Sequence, residues 1–375
     1  MNNINLTVKV ERAISELRRG GKIVISDINS SISVLLTAAE MIENDTVSSL
    51  SQLSLSRPNI ILSSNRANAL GLNSSTFPCS ISIDKNWVLN DILTLCMPLH
   101  NYTQPTLNGV IYEKGDNITS ICLLILRQAR LLPAGLMSII SNIPIEKMNE
   151  WSSKNNIVYL EGNNIKSFEK NSAKSLTMSV RAKIPLAETE KCEIVIFRPK
   201  DGGNEHFCLL IGKSRYVLDD KQSDHIPIVR IHSQCITGDI LDSLKCDCGQ
   251  QLKQSLKLMA KADQGILIYL AQEGRDIGLL NKLRAYFLQE EGMDTVEANL
   301  ALGFNDDERL YYPVKEILKQ FNIQTIKLIT NNPKKIDHLT NLGINILERI
   351  PIKIPSNKYN KKYLKTKLKK SGHIL

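Results

Sequence analysis

From residue 249 onward the chain alternates apolar runs with amphipathic segments, and this alternation restricts the fold more than any other feature of the sequence. Residues 266–270 and 326–330 are apolar runs typical of buried strands. Asn331-Asn332-Pro333 follows the second run, and Pro333 occupies a position typical of a first helical residue. Gly343 then ends that helix before a further strand at residues 344–349. A strand–helix–strand unit of this kind predicts parallel strands in an α/β fold.

The earlier part of the chain also mixes helices and strands. Residues 8–19 have helical apolar spacing before Gly20-Gly21, and residues 22–26 form a strand-type run. The Ser- and Asn-rich residues 48–56 are interpreted as a loop. We therefore predict a mixed α/β (α+β) chain, which its 375 residues divide into two domains.

A polar stretch at residues 163–177, rich in Lys, Ser and Asn, predicts the connection between the two domains. We place an N-terminal domain at residues 1–167, a linker at 168–177 and a C-terminal domain at 178–375. Before the linker the chain has long polar loops, and after it short β-type runs are separated by turn residues such as Asp201-Gly202-Gly203.

Composition restricts the class of protein. Hydrophobic residues make up 42% and charged residues 23%, which is ordinary for a soluble globular chain. The first twelve residues lack the apolar stretch of a signal peptide, and no apolar run is long enough to span a bilayer. We expect a cytoplasmic protein that does not bind membranes.

The net charge is +9, and many of the lysines lie in the C-terminal tail. Such a tail can attract a polyanion, either RNA or a nucleotide triphosphate, or it can be an ordinary solvated face. Few aromatic side chains accompany the lysines, so the second interpretation is favoured and nucleic acid is not the expected partner.

Three of the eight cysteines, Cys235, Cys246 and Cys248, lie within fourteen positions. Without a secretory signal, crowded thiols favour metal binding over disulfides. Three thiolates leave one tetrahedral position of a zinc ion for water, which is the catalytic arrangement. Two alternatives stay open: a closed structural zinc site with His232 as fourth ligand, or ordinary buried cysteines.

A second polar stretch, Gln272-Glu273-Gly274-Arg275, directly follows the predicted strand at 266–270. Its side chains and glycines could hold a polar ligand beside exposed backbone N–H groups. A surface ion pair between Glu273 and Arg275 accounts for them equally well.

Two further stretches carry charge at turns. Asp307 and Glu308 accompany Arg309, either for acid–base chemistry or as a charged cap at a helix start. Thr330 and Lys335 flank a strand-to-helix turn, where a helix N-terminus attracts anions. The alternative there is a simple capped turn with Lys335 in water.

Together these stretches resemble GTP cyclohydrolase II from about residue 184 to the C-terminus. The segments that carry the resemblance occur in family order: Arg-x-His-Ser-x-Cys ending at Cys235, Cys-Asp-Cys-Gly at Gly249, Gln-Glu-Gly-Arg at Arg275, Lys-x-Arg-Ala-Tyr at Tyr286, Asp-Thr-Val-Glu-Ala-Asn at Asn299, Asp-Glu-Arg at Arg309 and Thr-Asn-Asn-Pro-Lys-Lys at Lys335. Tyr363-Leu-x-Thr-Lys367 and Gly372-His373 fit as well. Chance agreement at so many ordered positions is negligible.

The resemblance implies an active zinc enzyme. Cys235, Cys246 and Cys248 would bind zinc, which activates water for attack at C8 of guanine, and a second hydrolysis would release formate. The proposed catalytic residues would be Arg309, acting on the α-phosphate with release of pyrophosphate, Asp307 as proton acceptor, and Tyr286. The positions that match GTP-binding residues are Arg230, Ile231, His232, Ser233, Gln234, Gln251, Glu273, Gly274, Arg275, Thr295, Thr330 and Lys335.

The resemblance further implies Mg²⁺ on the triphosphate, a homodimer, and a diaminopyrimidinone ribosyl phosphate product that begins riboflavin synthesis. Because arginine stays protonated, Arg309 could instead stabilise charge on the phosphate, and the sequence leaves both roles open. Gln234 departs from the Glu that the family usually has before the first zinc ligand. An uncharged amide there predicts a weakened enzyme.

The N-terminal residues faintly resemble 3,4-dihydroxy-2-butanone-4-phosphate synthase, through residues 11–40 and Leu132-Pro-Ala-Gly135. That family needs an acidic magnesium-binding loop after its first strand, and here residues 26–34 contain Asp27 as their only carboxylate. We expect a degenerate synthase-like domain that serves folding or dimerisation. Two alternatives to the leading hypothesis remain. The first is an inactive zinc-stabilised protein that binds GTP or RNA. The second is a bifunctional enzyme, which the missing acidic loop disfavours.

Overall fold

The computed structural model describes residues 3–72, 76–99, 107, 109–219 and 226–360. Its helices are α1 (Asn3–Arg18), α2 (Thr46–Ser54), α3 (Ser64–Ala69), α4 (Leu89–Cys96), α5 (Asn117–Gln128), α6 (Met148–Lys154), α7 (Gly162–Lys174), α8 (Cys248–Lys261), α9 (Gly278–Glu290), α10 (Thr295–Ala301), α11 (Tyr312–Gln320) and α12 (Pro333–Asn341). Its strands are β1 (Ile23–Asp27), β2 (Ile32–Ala38), β3 (Asn59–Leu62), β4 (Cys79–Ser82), β5 (Tyr112–Lys114), β6 (Ala134–Ile139), β7 (Val158–Glu161), β8 (Thr177–Lys183), β9 (Cys192–Arg198), β10 (His206–Gly212), β11 (Ile228–Ser233), β12 (Gln264–Leu270), β13 (Thr325–Ile329) and β14 (Asn345–Ile350). The mixed α/β prediction is confirmed.

The chain forms two compact units that do not follow a single cut in the sequence. The first unit comprises Met1–Phe168 and Leu280–Glu308, and the second comprises Glu169–Leu279 and Arg309–Leu375. The first boundary falls inside the segment predicted as a linker, residues 168–177, but residues 168–174 of that segment belong to helix α7. Ile165 and Phe168 are buried there, so apolar packing outweighs the polar composition of the helix. The domain division at residues 167–178 stays a prediction.

The first unit is built on a seven-stranded sheet in the order β5-β4-β3-β6-β2-β1-β7. Its neighbouring strands are antiparallel except for the parallel pair β1 and β7. Successive residues of a strand point to opposite faces of the sheet and therefore pack in two different apolar layers. Ile23 and Ile25 of β1 join the layer that includes α1 and α5, whereas Val24 joins the layer that includes Leu50 and Ile92. Helix α2 occupies the stretch that the sequence predicted as a loop, so that prediction is wrong.

The second unit has a seven-stranded sheet in the order β14-β13-β11-β12-β10-β9-β8. Strands β14, β13, β11 and β12 are parallel neighbours, and the remaining pairs are antiparallel. The predicted βαβ units are therefore confirmed, as β11–α8–β12 and β13–α12–β14. Pro333 is the first residue of α12, as its position in the sequence predicts.

Within the described residues, no helix combines the length and the apolar character needed to cross a membrane. Most of the tail lysines, together with Tyr363, Lys367, Gly372 and His373, lie outside the residues that the structure describes.

Candidate active site

The polar stretches singled out in the sequence follow the carboxyl ends of parallel strands in the second unit. Gln234 and Cys235 follow β11, Gln272 to Arg275 follow β12, and the turn from Thr330 to Asn332 follows β13. Because β13, β11 and β12 are neighbours and run in the same direction, all three turns lie at one edge of the sheet. Ligands of open α/β sheets bind at this edge.

The three crowded thiols meet in space. The Sγ atoms of Cys235, Cys246 and Cys248 all lie within 4.8 Å of one another, and those of Cys235 and Cys246 are 3.7 Å apart. Thiolates bound at about 2.3 Å to a tetrahedral zinc ion would be about 3.8 Å apart. The geometry of this thiol cluster therefore fits a metal of zinc's size. Among the described residues, the cluster of candidate metal ligands consists of these thiols and does not include His232.

Two glycines make the approach of the thiols possible. A Cβ at position 238 would lie 2.8 Å from Sγ of Cys246 and 3.1 Å from Sγ of Cys235. A Cβ at position 249 would lie 2.0 Å from the backbone oxygen of Gly238. Any side chain at either glycine would therefore displace the segment that carries Cys235 from the segment that carries Cys246 and Cys248. Gly249 belongs to the Cys-Asp-Cys-Gly segment noted in the sequence, whereas Gly238 was not singled out.

The thiols compete for protons when they are so close together. Hydrogen bonds from Cys235 and Cys246, together with burial, raise the pKa of the Cys248 thiol well above its usual value. Three thiolates at this separation thus require a cation to stabilise them. Cys248 is also the first residue of α8, where the helix dipole favours a negative charge.

Asp239, a buried carboxylate that was not predicted from the sequence, holds the backbone of the thiol cluster. Asp239 accepts hydrogen bonds from the backbone N–H of Cys235 at 3.0 Å, from the Tyr269 hydroxyl at 2.9 Å and from Nε2 of His232 at 3.1 Å. The parallel register of β11 and β12 pairs His232 with Tyr269, so both side chains reach the same carboxylate. Its place four residues after Cys235, in the Thr-Gly-Asp turn, is the signal that could have identified it.

His232 is held as part of this network. Burial lowers its pKa, although the hydrogen bond to Asp239 opposes the change. Its ring stacks on Tyr269 with centroids 5.5 Å apart. The role of His232 in the structure is therefore to bridge the sheet to Asp239, which does not favour its assignment as a fourth zinc ligand.

Glu273 joins the turn after β12 to the turn after β11. Its Oε2 accepts from the backbone N–H of Ile236 at 2.7 Å, and its Oε1 accepts from Gly274 N–H at 3.1 Å. Because Glu273 is 3% exposed, it is not the surface residue that the alternative interpretation assumed. Gly274, Arg275 and Asp276 follow with φ values of 65°, 61° and 76°. Consecutive left-handed residues other than glycine store strain and are typical of functional turns.

Arg230 is a buried cation beside the thiols. Its Nη1 donates to the backbone oxygen of Ile329 at 3.1 Å, and its Nη2 donates to Oε1 of Gln251. Gln251 in turn donates to Asp247, which lies between two of the cysteines. Burial lowers the pKa of Arg230, and the nearby Asp247 opposes that change. The network thus links a positive charge to the start of α8.

Lys335 is a second buried cation, 6% exposed, in the first turn of α12. Its Nζ donates to the backbone oxygen of Ile231 at 3.0 Å. The alternative that places Lys335 in water is therefore wrong. The Thr330 hydroxyl accepts from Asn332 N–H at 3.1 Å and forms the turn that precedes the helix. A buried lysine and an adjacent helix N-terminus both favour an anion at this position.

Several buried polar atoms at the end of β11 have no hydrogen-bond partner among the described residues. They are Nε of Arg230, Nδ1 of His232 and Oγ of Ser233. A buried donor or acceptor left unpaired costs about 1–3 kcal/mol, so a cluster of such atoms is typical of a site that binds a polar ligand.

The remaining residues proposed from the sequence are divided between the two units. Arg309 belongs to the second unit, with the thiols. Tyr286, Thr295 and Asp307 belong to the first unit: Tyr286 in α9, Thr295 at the start of α10 and Asp307 in the segment that follows. The neighbouring Glu308 accepts from Asn305 N–H at 2.8 Å and does not cap a helix at Leu310.

The fold and the thiol cluster define an α/β protein with a candidate metal site at the carboxyl edge of a parallel sheet. A family model described as GTP cyclohydrolase II matches residues 177–351. A GTP cyclohydrolase-2 from Azospirillum brasilense is 35% identical over 369 residues, which cover 97% of this chain and 93% of the relative. The chain therefore belongs to the GTP cyclohydrolase II family of enzymes, and the resemblance inferred from the sequence is confirmed.

Other relatives match only part of the chain. A GTP cyclohydrolase-2 from Actinobacillus succinogenes is 47% identical over 183 residues, covering 49% of this chain and 81% of the relative. Among solved structures, a two-domain 3,4-dihydroxy-2-butanone 4-phosphate synthase from A. baumannii matches 92% of this chain and 99% of its own, with 13% identity and a TM-score of 0.37. A likeness at that level assigns no activity.

Proposed function

We propose that this protein hydrolyses GTP, opening the imidazole ring of guanine with release of formate and pyrophosphate. The product would be 2,5-diamino-6-(5-phosphoribosylamino)pyrimidin-4(3H)-one, the first intermediate of riboflavin synthesis. The observation that carries the proposal is the thiol cluster, which lies at the sheet edge where Arg230 and Lys335 supply buried positive charge. Family membership supports the same reaction.

Cys235, Cys246 and Cys248 would hold one zinc ion as thiolates. Bound zinc would supply Lewis-acid activation of water near neutral pH, which the poorly electrophilic C8 requires. Asp239 fixes the backbone of Cys235, and Glu273 fixes the turn at Ile236. These two carboxylates would hold the Cys235 thiol in position during the reaction.

Arg230, Thr330 and Lys335 would bind the negatively charged part of GTP, with Mg²⁺ on the triphosphate. Arg230 and Lys335 are already desolvated, so their attraction for phosphate is stronger than that of surface lysines. The unpaired Oγ of Ser233 and Nδ1 of His232 are suited to hydrogen bonds with the polar substrate. The other substrate-binding positions would be Ile231, Gln234, Gln251, Gly274, Arg275 and Thr295.

Arg309 would act at the α-phosphate, either as a nucleophile after loss of a proton to Asp307 or by stabilising charge on the phosphate. Tyr286 would assist the reaction at the ring. We further propose that the enzyme works in the cytoplasm as a homodimer.

The N-terminal unit would lack synthase activity. Asp27, the last residue of β1, accepts hydrogen bonds from Asn117 Nδ2 at 2.8 Å and Ser30 Oγ at 2.9 Å. The hydrogen bonds from Asn117 and Ser30 thus occupy oxygen lone pairs of Asp27 that Mg²⁺ would need. Formation of butanone phosphate from ribulose 5-phosphate by the purified protein would overturn this part of the proposal.

The test of the main proposal is to incubate the zinc- and magnesium-loaded protein with GTP and to follow formate and pyrophosphate together. We expect both products from the natural protein and no formate from Cys246→Ser. Cys208→Ser, which removes a buried thiol of the β10 strand outside the cluster, is the matched control.

One alternative has a specific observation in its favour. Gln234 replaces the usual Glu, which favours a zinc-stabilised protein that binds GTP or RNA without turnover. Bound GTP and bound zinc with neither product would support that alternative. Pyrophosphate without formate would instead show that the ring-opening step has failed.

A further inference from the structure

The matched family region and the compact units do not coincide. The family model covers residues 177–351, but Leu280–Glu308, in the middle of that region, belongs to the N-terminal unit. This segment contains Tyr286, Thr295 and Asp307. The contacts that hold it within the unit come from three separate places in residues 1–168.

The first contact fixes helix α9. Arg284 forms an ion pair with Glu40, and the two side chains are only 18% and 5% exposed. The other oxygen of Glu40 accepts from Leu132 N–H at 3.0 Å, so the carboxylate is itself held in place. Asn281, which is fully buried, donates to the backbone oxygen of Arg130 at 2.8 Å.

This attachment determines how the helix is rotated. Residues two apart on an α-helix project about 200° from one another, since each residue turns the helix by about 100°. Arg284 therefore directs one face of α9 toward Glu40 and the opposite face, with Tyr286, away from it. Buried Ala285 and Leu288 complete the attached face.

The second contact fixes the end of α10. The start of α3 supplies three donors to backbone oxygens there: Ser63 Oγ to Gly303 at 2.7 Å, Asn65 Nδ2 to Phe304 at 2.9 Å and Arg66 Nη1 to Ala301 at 3.3 Å. Gly303 has a φ of 93°, and a Cβ there would lie 2.8 Å from Ser63 Oγ. The chain can thus approach α3 only through a glycine.

The third contact lies on the C-terminal side of Asp307. Glu308 lies 3.8 Å from the guanidinium of Arg127 on α5. On the N-terminal side of Asp307, Phe304 is fully buried. The backbone around Asp307 is therefore fixed at both ends by side chains of the N-terminal residues.

We propose that residues 1–168 act as an internal support that fixes the conformation of residues 280–308, with Glu40, Ser63 and Arg66 as positioning residues for GTP turnover. The inference rests on the proposed function. Helix α10 has seven residues, and isolated helices shorter than about 12–15 residues are marginal in water. It therefore depends on tertiary contacts, and these contacts come from the N-terminal residues.

The relatives differ in how much of this chain they match. The protein from Actinobacillus succinogenes matches only 49% of this chain, whereas that from Azospirillum brasilense matches 97%. An internal support formed by the N-terminal half would therefore be specific to the long form of the family.

The experiment compares two buried carboxylates of the same unit in the full chain. Glu40→Gln removes the charge that holds Arg284, and Asp27→Asn removes a charge that holds Asn117 and Ser30. Hydrogen–deuterium exchange of peptides from residues 280–308 is measured without GTP, and kcat and KM are measured with it. We expect faster exchange of that segment and a kcat lower by about tenfold or more in Glu40→Gln, with KM changed far less. Asp27→Asn should leave kcat unchanged and should raise exchange of residues 280–308 much less than Glu40→Gln does.

Ser63→Ala provides an independent variant, because it weakens the hold on Gly303 without removing a charge. Circular dichroism of every variant excludes general unfolding. Equal exchange rates of residues 280–308 in Glu40→Gln and Asp27→Asn would overturn the proposal that the N-terminal residues fix this segment. Faster exchange with unchanged kcat would overturn the positioning role. A natural protein that fails to hydrolyse GTP would count against the proposed function alone, because the exchange comparison does not require turnover.

Discussion

Asp239 accepts a hydrogen bond from the backbone N–H of Cys235 at 3.0 Å, so a buried carboxylate fixes the main chain of a candidate metal ligand. The same oxygen accepts from the hydroxyl of Tyr269 at 2.9 Å. Burial raises the pKa of Tyr269, and the nearby carboxylate raises it further, so the hydroxyl remains a donor. The position of Cys235 thus depends on residues of a neighbouring strand.

Asp239→Asn should weaken zinc binding. An amide has one acceptor oxygen, so at least one of the donors from Cys235, Tyr269 and His232 would lose its partner. Loss of such supporting contacts typically lowers metal affinity by about 10–100-fold. Zinc affinity is measured by competition with a chromophoric chelator. Asp242→Asn is the matched control, because Asp242 is exposed and pairs with Lys253; equal affinities of the two variants would contradict the prediction.

Gly238→Ala should prevent metal binding while most of the fold survives. The added methyl would lie within 3.1 Å of two of the sulfurs and force the thiols apart. Zinc content after dialysis and thermal unfolding are measured on the same sample. Gly343→Ala is the control, since Gly343 has a φ of 86° with nothing within 4 Å. That control should lose about 1 kcal/mol of stability and keep its zinc.

Gln234→Glu should raise the rate of GTP turnover several-fold. The backbone of Gln234 is already fixed by its N–H bond to the Leu270 oxygen at 2.8 Å, so the substitution changes charge without moving the chain. A carboxylate beside the first ligand restores the residue usual in the family. Formate release under saturating GTP is the measurement. Unchanged turnover would remove the idea that Gln234 limits the enzyme.

Asp27 should make the N-terminal unit sensitive to acid. Burial tends to raise its pKa, but hydrogen bonds from Asn117, Ser30 and Asn29 outweigh burial and lower the pKa from its ordinary value. The unfolded state then binds more protons, so the stabilisation is fully present above about pH 4 and is lost as pH falls through the folded pKa. Trp87 and Trp151, the two tryptophans of the chain, both lie in this unit and report its unfolding in urea.

The natural protein and Asp27→Asn are compared at pH 6 and near pH 3. The difference in their free energies of unfolding should be largest at pH 6 and shrink at the lower pH. A difference that stays constant would show that the carboxylate does not titrate with a lowered pKa.

The sequence predicted the second unit well because local signals determine it. The apolar runs at residues 266–270 and 326–330 located β12 and β13, and the polar motifs that begin at Gln272 and Thr330 were placed correctly at the ends of these strands. The loop predicted at residues 48–56 was wrong because the Ser side chains of α2 satisfy carbonyls of their own helix: Ser51 donates to Val47 and Ser54 to Leu50. Composition alone cannot distinguish such serines from those of a turn.

The candidate site was predicted less completely. Cysteine spacing indicated the candidate metal ligands, but the contacts of Asp239 and Gly238 depend on which atoms approach them in three dimensions. Glu273 and Lys335 were among the predicted site residues, but their burial could not be predicted from the sequence, because charged residues are usually exposed. The attachment of Arg284 to Glu40 spans 244 positions, a distance at which no local pattern carries information.

That separation also has a consequence for synthesis on the ribosome. Domains usually complete their folding in order from the N-terminus, at about 5–20 residues per second. Here the first unit lacks residues 280–308 until long after residue 168 has emerged, an interval on the order of ten seconds. During that time Ser63, Asn65 and Arg66 lack the backbone oxygens of residues 301–304 as partners, while residues 169–279 leave the ribosome. Translation speed across the middle of the gene therefore determines how long an incomplete first unit is exposed to chaperones and proteases.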